Sequence, residues 1–171
     1  MSPSPFIVEW LQRIARERGG HPRALDVAMG GGRHAVPLAR AGFRTFGVDV
    51  KLDSVREAID AGRREGVHVA GWCADLTRHA LPRGRFDLVV VSRYLQRDLF
   101  ADLAASLAPE GIVIYETFTT AQRALGRRPT SPDHLLEPGE LRQRFEAFDV
   151  VHYEEVVAPD AVARLVARSR S

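Results

Sequence analysis

Short apolar runs alternate with helical periodicity along the first two thirds of the chain. Apolar residues at helical spacing, from Ile7 to Ile14, predict an N-terminal helix within residues 1–20. Five strand-length apolar runs follow, at residues 24–28, 44–48, 67–72, 86–91 and 112–117. Helical patterns lie between most of them, ending near residue 41 and covering 54–65 and 94–107. Such alternation predicts a parallel sheet covered by helices on both faces.

The last third of the chain has a different pattern. Residues 118–138 show no clear period, and two further strands are predicted at 148–156 and 162–168. Because the connection between these two strands is short, they must pair antiparallel. We therefore expect a single α/β domain over residues 1–171. Its Rossmann-like sheet has seven mostly parallel strands, helices on both faces and a C-terminal antiparallel β-hairpin.

Composition narrows the class of protein. The 171 residues carry a net charge of +2, and the basic residues are scattered arginines with Lys51 as the only lysine. The sequence has no basic stripe interleaved with aromatics, so it does not favour nucleic-acid binding. The single Cys73 excludes an internal disulfide, and no apolar run has the length of a membrane span. With no signal-peptide pattern at residues 1–6, we expect a cytoplasmic protein that is not bound to a membrane.

Residues 24–43 carry the clearest functional signal. An apolar strand runs into the turn Gly30-Gly31-Gly32, and an amphipathic helix follows. Glycines let a ligand approach the backbone closely, and the helix N-terminus faces that ligand. The turn matches the dinucleotide pattern G-x-G-x-x-A, with Asp49 placed after the second strand to bind ribose hydroxyls. Alone, this pattern favours an NAD-dependent oxidoreductase.

Three features favour a different ligand. Asp26 lies inside the first strand, four residues before Gly30, where it would repel a pyrophosphate and could hold an ammonium group. Asp75 follows the third strand and suits an adenine amino group. The chain is also short for a separate substrate domain.

The chain resembles the class I S-adenosylmethionine-dependent methyltransferases. The similar segments occur in the family's order and spacing: 25–33, 46–49, 74–76, 86–90 and 107–111. Within that family it is most similar to the small tellurite-resistance-type methyltransferases. Gly32-Arg33-His34 and the Pro-Gly-Glu-Leu of residues 138–141 carry this narrower resemblance.

The resemblance implies S-adenosylmethionine as cofactor and a set of residues around it. By position, these are Asp26, Gly30 and Gly32 for the methionine end, Asp49 for the ribose, Val50 and Leu76 for the adenine faces, Asp75 for the adenine amino group, and Ser92 near the transferred methyl. Ala28 belongs to the same cofactor-binding turn, where the family usually has glycine. Alanine disfavours positive φ, but its single methyl group should leave binding intact.

The chemistry requires little of the protein's side chains. Positioning can supply most of the acceleration of a methyl transfer, and a general base is needed only for a protonated acceptor. We therefore assign no catalytic residue. No His, Cys, Asp and Glu cluster has metal-ligand spacing, so we expect no metal. The fourth strand ends Val91-Ser92-Arg93-Tyr94 and lacks the Asn/Asp-Pro-Pro-aromatic signature of amino-directed nucleic-acid methylases. These features predict a small-molecule acceptor.

Candidate acceptor contacts follow the fourth and fifth strands, at the sheet edge where open α/β folds bind ligands. They are Arg93, Tyr94, Arg97 and Glu116. The arginines favour an anionic acceptor. Alternatively, they are structural and pair with acids such as Asp98, Asp102 or Glu116. Residues 118–138 form either a lid over the acceptor or a solvated loop.

Three functional interpretations remain at this point. The leading one is an S-adenosylmethionine-dependent methyltransferase acting by in-line transfer on a small acceptor that is anionic or a soft nucleophile. The alternatives are an NAD-dependent oxidoreductase and a non-catalytic module that binds S-adenosylmethionine.

Overall fold

One seven-stranded sheet organises the protein, whose computed structural model describes residues 1–170. The strands are β1 (Arg23–Val27), β2 (Arg44–Asp49), β3 (Val69–Cys73), β4 (Phe86–Ser92), β5 (Leu107–Phe118), β6 (Asp149–Val156) and β7 (Val162–Arg168). Their order in the sheet is β3-β2-β1-β4-β5-β7-β6. The first five strands pair in parallel, and β7 is antiparallel to both β5 and β6. The predicted mostly parallel sheet with its C-terminal hairpin is confirmed.

Six helices accompany the strands in the described part of the chain. They are α1 (Pro5–Glu17), α2 (Ala35–Arg40), α3 (Leu52–Arg64), α4 (Phe100–Ser106), α5 (Ala121–Ala124) and α6 (Glu140–Arg144). Short 3-10 turns lie at Arg97–Leu99 and Pro132–His134. Among residues 1–170, no helix combines the length and apolar character needed to cross a membrane.

Side chains of β4 alternate between two cores. Val89 and Val91 are fully buried in a cluster that includes α4, whereas Leu88 and Val90 are fully buried in a cluster that includes α1. This two-residue alternation places one apolar set on each face of the sheet. The continuous apolar run of β4 therefore reflects a strand that is covered on both sides.

Two predicted boundaries shift in the structure. The helix predicted at 94–107 begins only at Phe100, because the residues before it form a loop and a 3-10 turn. The fifth strand begins early, at Leu107, which pairs with Phe86 before the register shifts. That irregularity accommodates a residue at positive φ, Glu110 (+62°).

The topology defines where a ligand can bind. From β1 the chain builds outward to β2 and β3, whereas β4 starts the other half of the sheet. The order therefore reverses between β1 and β4, which are neighbours. In open α/β sheets, ligands bind at the carboxyl ends of strands at such a point.

Candidate cofactor site

A cavity of about 620 Å³ lies at the carboxyl ends of β1 and β4. Its walls include all six residues from Ala28 to Arg33, which contain the glycine turn, and Ser92 and Arg93 from the end of β4. Four of the predicted cofactor residues, Ala28, Gly30, Gly32 and Ser92, are thus brought to one cavity.

The glycine turn packs against α3 and is open towards the cavity. A Cβ on Gly32 would lie 2.9 Å from the Cβ of Ala58, and one on Gly31 would lie 2.8 Å from the carboxyl carbon of Glu57. A Cβ on Gly30 would meet no atom within 4 Å. Gly30 and Gly32 also have positive φ, +52° and +85°. The turn therefore needs glycine both for its backbone and for its approach to α3.

Ala28 shares this left-handed conformation, with φ at +54°. An L-residue with a Cβ is strained there, so we expect Ala28→Gly to raise the free energy of unfolding by about 0.5–1 kcal/mol. Urea denaturation measures this change. Ala39→Gly, within α2, is the matched control and should lower stability by about 1 kcal/mol. A loss of stability in Ala28→Gly would contradict the strain argument.

Asp26 provides a buried acceptor. Its side chain is 2 % exposed, and Oδ2 has no hydrogen-bond partner among the described residues. Burial raises the pKa of Asp26 to about 7, while the backbone N–H of Ala35 and the charge of Arg33 oppose that rise. Buried polar atoms are normally satisfied. An unpartnered carboxylate oxygen beside the glycine turn fits the ammonium group of a methionine moiety.

Asp49 is fixed at the end of β2. Its Oδ2 accepts a hydrogen bond from the N–H of Gly30 at 2.9 Å, and its Oδ1 accepts one from the N–H of Lys51 at 2.9 Å. Each carboxylate oxygen keeps a further lone pair for a ribose hydroxyl. The next apolar side chains, Val50 and Leu52, are 62 % and 48 % exposed. They present an apolar surface of the kind that an adenine ring would cover.

The β3 end continues the site along the same edge. Ala74 donates its N–H to the carbonyl of Asp49 at 3.0 Å, which places Asp75 and Leu76 close to the β2 end. The hydroxyl and the N–H of Thr77 both donate to Asp75 and lower its pKa. Asp75 is therefore an ionised acceptor at this edge at neutral pH.

The four residues predicted to contact the acceptor do not lie together in the structure. Both arginines are paired, as the structural alternative proposed, but with partners distant in sequence. The Arg93 guanidinium lies 3.8 Å from Asp160, and Arg97 binds both carboxylate oxygens of Glu140, at 2.7 and 3.0 Å. Arg97 also donates to the carbonyl of Leu135 at 2.8 Å. Arg97 thus ties the loop after β4 to residues 118–138 and α6.

Tyr94 and Glu116 lie outside the cavity walls that the glycine turn forms. Burial raises the pKa of Tyr94, and the nearby charges of Asp75, Asp98 and Asp49 raise it further. The Tyr94 hydroxyl donates to Gln96, whose amide donates to the carbonyl of Leu76 at 3.0 Å, so Tyr94 lies near the end of β3. Glu116 is buried and bonds to Arg164 at 2.7 Å across β5 and β7. Of the four candidates, Arg93 lines the cavity, and a substrate role for each stays a prediction.

Sequence reasoning missed Arg33 as a site residue. Its guanidinium lines the cavity and donates to Oγ of Ser92 at 2.8 Å. Its position directly after the glycine turn was the available signal. His34, the next residue, is 2 % exposed, and its Nε2 accepts the N–H of Ser4 at 2.9 Å. Burial, with the charges of Arg33 and Arg93, lowers the pKa of His34 to about 3, so it is neutral and structural.

The family model described as a methyltransferase domain matches residues 24–111, from β1 into β5. The chain belongs to the methyltransferase-domain family. A curated relative, a ubiquinone biosynthesis O-methyltransferase of Bordetella avium (strain 197N), is 27 % identical over 158 residues. The match covers 81 % of this chain and 65 % of the relative, so the chain spans just under two thirds of that protein's length.

Solved structures of this fold include an S-adenosylmethionine-dependent methyltransferase from Mesorhizobium loti, with a TM-score of 0.73 and 20 % identity over 94 % of this chain and 97 % of that one. TehB from Haemophilus influenzae also matches, with a TM-score of 0.73 and 15 % identity over 94 % of this chain and 62 % of that one. These likenesses establish the fold.

Proposed function

We propose that this methyltransferase domain uses S-adenosylmethionine to methylate a small-molecule acceptor by in-line displacement. The observation that carries the proposal is the unpartnered, buried Oδ2 of Asp26 beside a glycine turn that is itself bonded to Asp49. An ammonium group would satisfy Asp26, whereas the pyrophosphate of NAD would be repelled by a carboxylate there.

The proposed contacts to the cofactor come from the carboxyl ends of four strands, β1 to β4. Asp26 and the glycine turn would hold the methionine end, Asp49 the ribose hydroxyls, and Asp75 the adenine amino group. Val50 and Leu76 would contact the adenine faces, and Ser92 would lie near the methyl group. When bound, S-adenosylmethionine supplies a methyl group on a positively charged sulfur. The protein's own part is to bind, to orient and to exclude water.

The acceptor we propose is small and is either anionic or a soft nucleophile. The cavity volume of about 620 Å³ suits a small molecule together with part of the cofactor. Arg33 and Arg93 make one part of its wall basic, whereas Glu57 and Glu65 line another part. The name of the curated relative, an O-methyltransferase, indicates an oxygen acceptor in that protein. A tellurite-resistance-type activity belongs to this proposal. We also propose that the protein acts in the cytoplasm and binds neither nucleic acid nor membranes.

Calorimetry tests the proposed cofactor. We expect S-adenosylhomocysteine to bind and NAD to leave no measurable heat. Binding of NAD without binding of S-adenosylhomocysteine would favour the NAD-dependent oxidoreductase over the methyltransferase. Turnover with a panel of thiol, selenite, tellurite, phenol and carboxylate acceptors then tests catalysis. Binding of S-adenosylhomocysteine with no turnover on any acceptor would favour the non-catalytic module.

Residues 118–138 are proposed as a lid. The ends of this segment are anchored, because Leu135 and Leu136 are fully buried and Gln122 bonds to Asp160 at 3.0 Å. Between the anchors, Arg123 donates to the carbonyl of Thr130 at 3.2 Å, so the ends of the intervening loop are close. Two glycines can therefore replace residues 124–129.

The shortened loop should lower kcat at least 10-fold and leave the affinity for S-adenosylhomocysteine within about 2-fold, because a lid excludes water without holding the cofactor. Single-turnover kinetics and calorimetry measure the two effects. A circular dichroism melt checks that the shortened chain folds. Unchanged turnover would identify the segment as a solvated loop.

A further inference from the structure

Two guanidinium groups converge at the open mouth of the cavity. Nη1 of Arg33 lies 3.1 Å from Sδ of Met1, and Nη1 of Arg93 lies 3.4 Å from the same sulfur. A thioether is only a weak acceptor. Two strong, charged donors therefore point at one position that holds no group matched to them.

Carboxylates of the protein compensate this charge only in part. Among residues 1–170, no carboxylate comes within 4 Å of the Arg33 guanidinium; the nearby Asp26 is buried and has a raised pKa, and the nearby Glu116 is bonded to Arg164. Arg93 has Asp160, but at 3.8 Å, and that carboxylate also bonds to Gln122 at 3.0 Å. Two adjacent positive charges repel unless an anion lies between them.

Both arginines are held in place before any ligand arrives. Arg33 donates through Nη2 to Ser92 at 2.8 Å. The Arg93 guanidinium lies 5.5 Å from the ring centroid of Phe118, and the Arg93 N–H donates to the carbonyl of Glu116 at 2.8 Å. Arg93 also adopts φ of +54°, an unfavourable conformation for a side chain with a Cβ, of the kind that clusters at functional sites.

We propose that Arg33 and Arg93 together bind a carboxylate group at the mouth of this cavity, at the position where the sulfur of Met1 lies. Guanidinium donors match carboxylate oxygens in geometry and charge, and donors already in place lose little freedom on binding. The identity of the carboxylate rests on the proposed function: it is carried either by the methionine end of the cofactor or by the methyl acceptor.

Benzoate and its neutral analogue benzamide are the first probes, in saturation-transfer NMR titrations of the full chain. We expect benzoate to bind and benzamide not to bind. Arg33→Gln and Arg93→Gln should each weaken benzoate at least 10-fold, the range of a charge-assisted hydrogen bond. Arg93→Lys should restore part of the affinity. Arg170→Gln is the matched control, because Arg170 pairs with Asp149 at the opposite edge of the sheet.

A second pair of ligands identifies the source. S-adenosylhomocysteine carries a carboxylate, whereas 5′-methylthioadenosine lacks the amino-acid part. If the cofactor supplies the carboxylate, both Gln variants bind S-adenosylhomocysteine at least 10-fold more weakly and bind 5′-methylthioadenosine unchanged. Saturating S-adenosylhomocysteine then also excludes benzoate. If the acceptor supplies it, affinity for S-adenosylhomocysteine is unchanged and benzoate binds to that complex.

Equal benzoate binding by the parent chain, Arg33→Gln and Arg93→Gln, together with unchanged affinity for S-adenosylhomocysteine, would overturn the carboxylate site. Thermal melts of each variant exclude misfolding as the cause of a loss. A different pattern marks a failure of the proposed function. In that case neither adenosine compound binds, while the discrimination between benzoate and benzamide persists and still depends on both arginines.

Discussion

At pH 8 the unliganded Asp26→Asn variant should unfold at a higher urea concentration than the parent chain. Burial raises the pKa of Asp26 to about 7, so at pH 8 the parent carries an ionised carboxylate with an unpartnered oxygen. Each pKa unit corresponds to about 1.4 kcal/mol. After the burial cost of the Asn amide, we expect a gain on the order of 2 kcal/mol.

The pH dependence has a defined sign. Between pH 4 and 7 the native state keeps a proton on Asp26 that the unfolded chain, with its ordinary carboxyl pKa of 3.8, has lost. The contribution of Asp26 to the free energy of unfolding therefore falls as pH rises through this window and is constant above it. At pH 5 the advantage of Asp26→Asn should disappear.

The same variant should bind S-adenosylhomocysteine at least 10-fold more weakly, because an amide replaces the charged partner of the ammonium group. Affinity for 5′-methylthioadenosine, which has no ammonium group, should be unchanged. Asp53→Asn is the control, since the Asp53 side chain is 98 % exposed. If the parent chain is at least as stable as Asp26→Asn at pH 8, the argument for a buried charge on Asp26 is wrong. If Asp26→Asn binds S-adenosylhomocysteine as tightly as the parent does, the assigned contact between Asp26 and the ammonium group is wrong.

Asp49→Ala should have the largest effect on cofactor binding. The substitution removes the expected acceptor for the ribose hydroxyls and also the acceptor for the Gly30 and Lys51 N–H groups. We expect affinity for S-adenosylhomocysteine to fall at least 100-fold, about 3 kcal/mol. Because 5′-methylthioadenosine carries the same ribose, its affinity should fall equally, and this separates Asp49 from Asp26.

Calorimetry with both ligands measures the Asp49 effect, and Asp53→Ala serves as the matched acidic control on the exposed start of α3. Asp49→Asn keeps one acceptor oxygen, so its affinity for both ligands should lie between that of the parent and that of Asp49→Ala. If Asp49→Ala loses affinity for S-adenosylhomocysteine but not for 5′-methylthioadenosine, Asp49 contacts the methionine end and the ribose assignment is wrong.

The β-strands, the glycine turn and the order of the cofactor motifs could be predicted from the sequence. Apolar periodicity reports which face of a strand or helix is buried, and a run of glycines after an apolar strand predicts a tight turn from the local sequence. Parallel strands place their carboxyl ends at one edge, so acids at or near the ends of β1, β2 and β3 are brought to the same edge by the alternation itself. The contact between Asp49 and Gly30 is the direct outcome of that geometry.

Only the tertiary structure brought together residues that local pattern does not link. Arg97 pairs with Glu140 rather than with a nearby acid, and His34 is buried by the chain around Ser4. Arg33 and Arg93 come from the ends of different strands and meet because β1 and β4 are neighbours in the sheet. Local periodicity determined the elements and the donor motif, whereas long-range packing decided which charges share the cavity, because contacts between distant segments leave no periodic trace in the sequence.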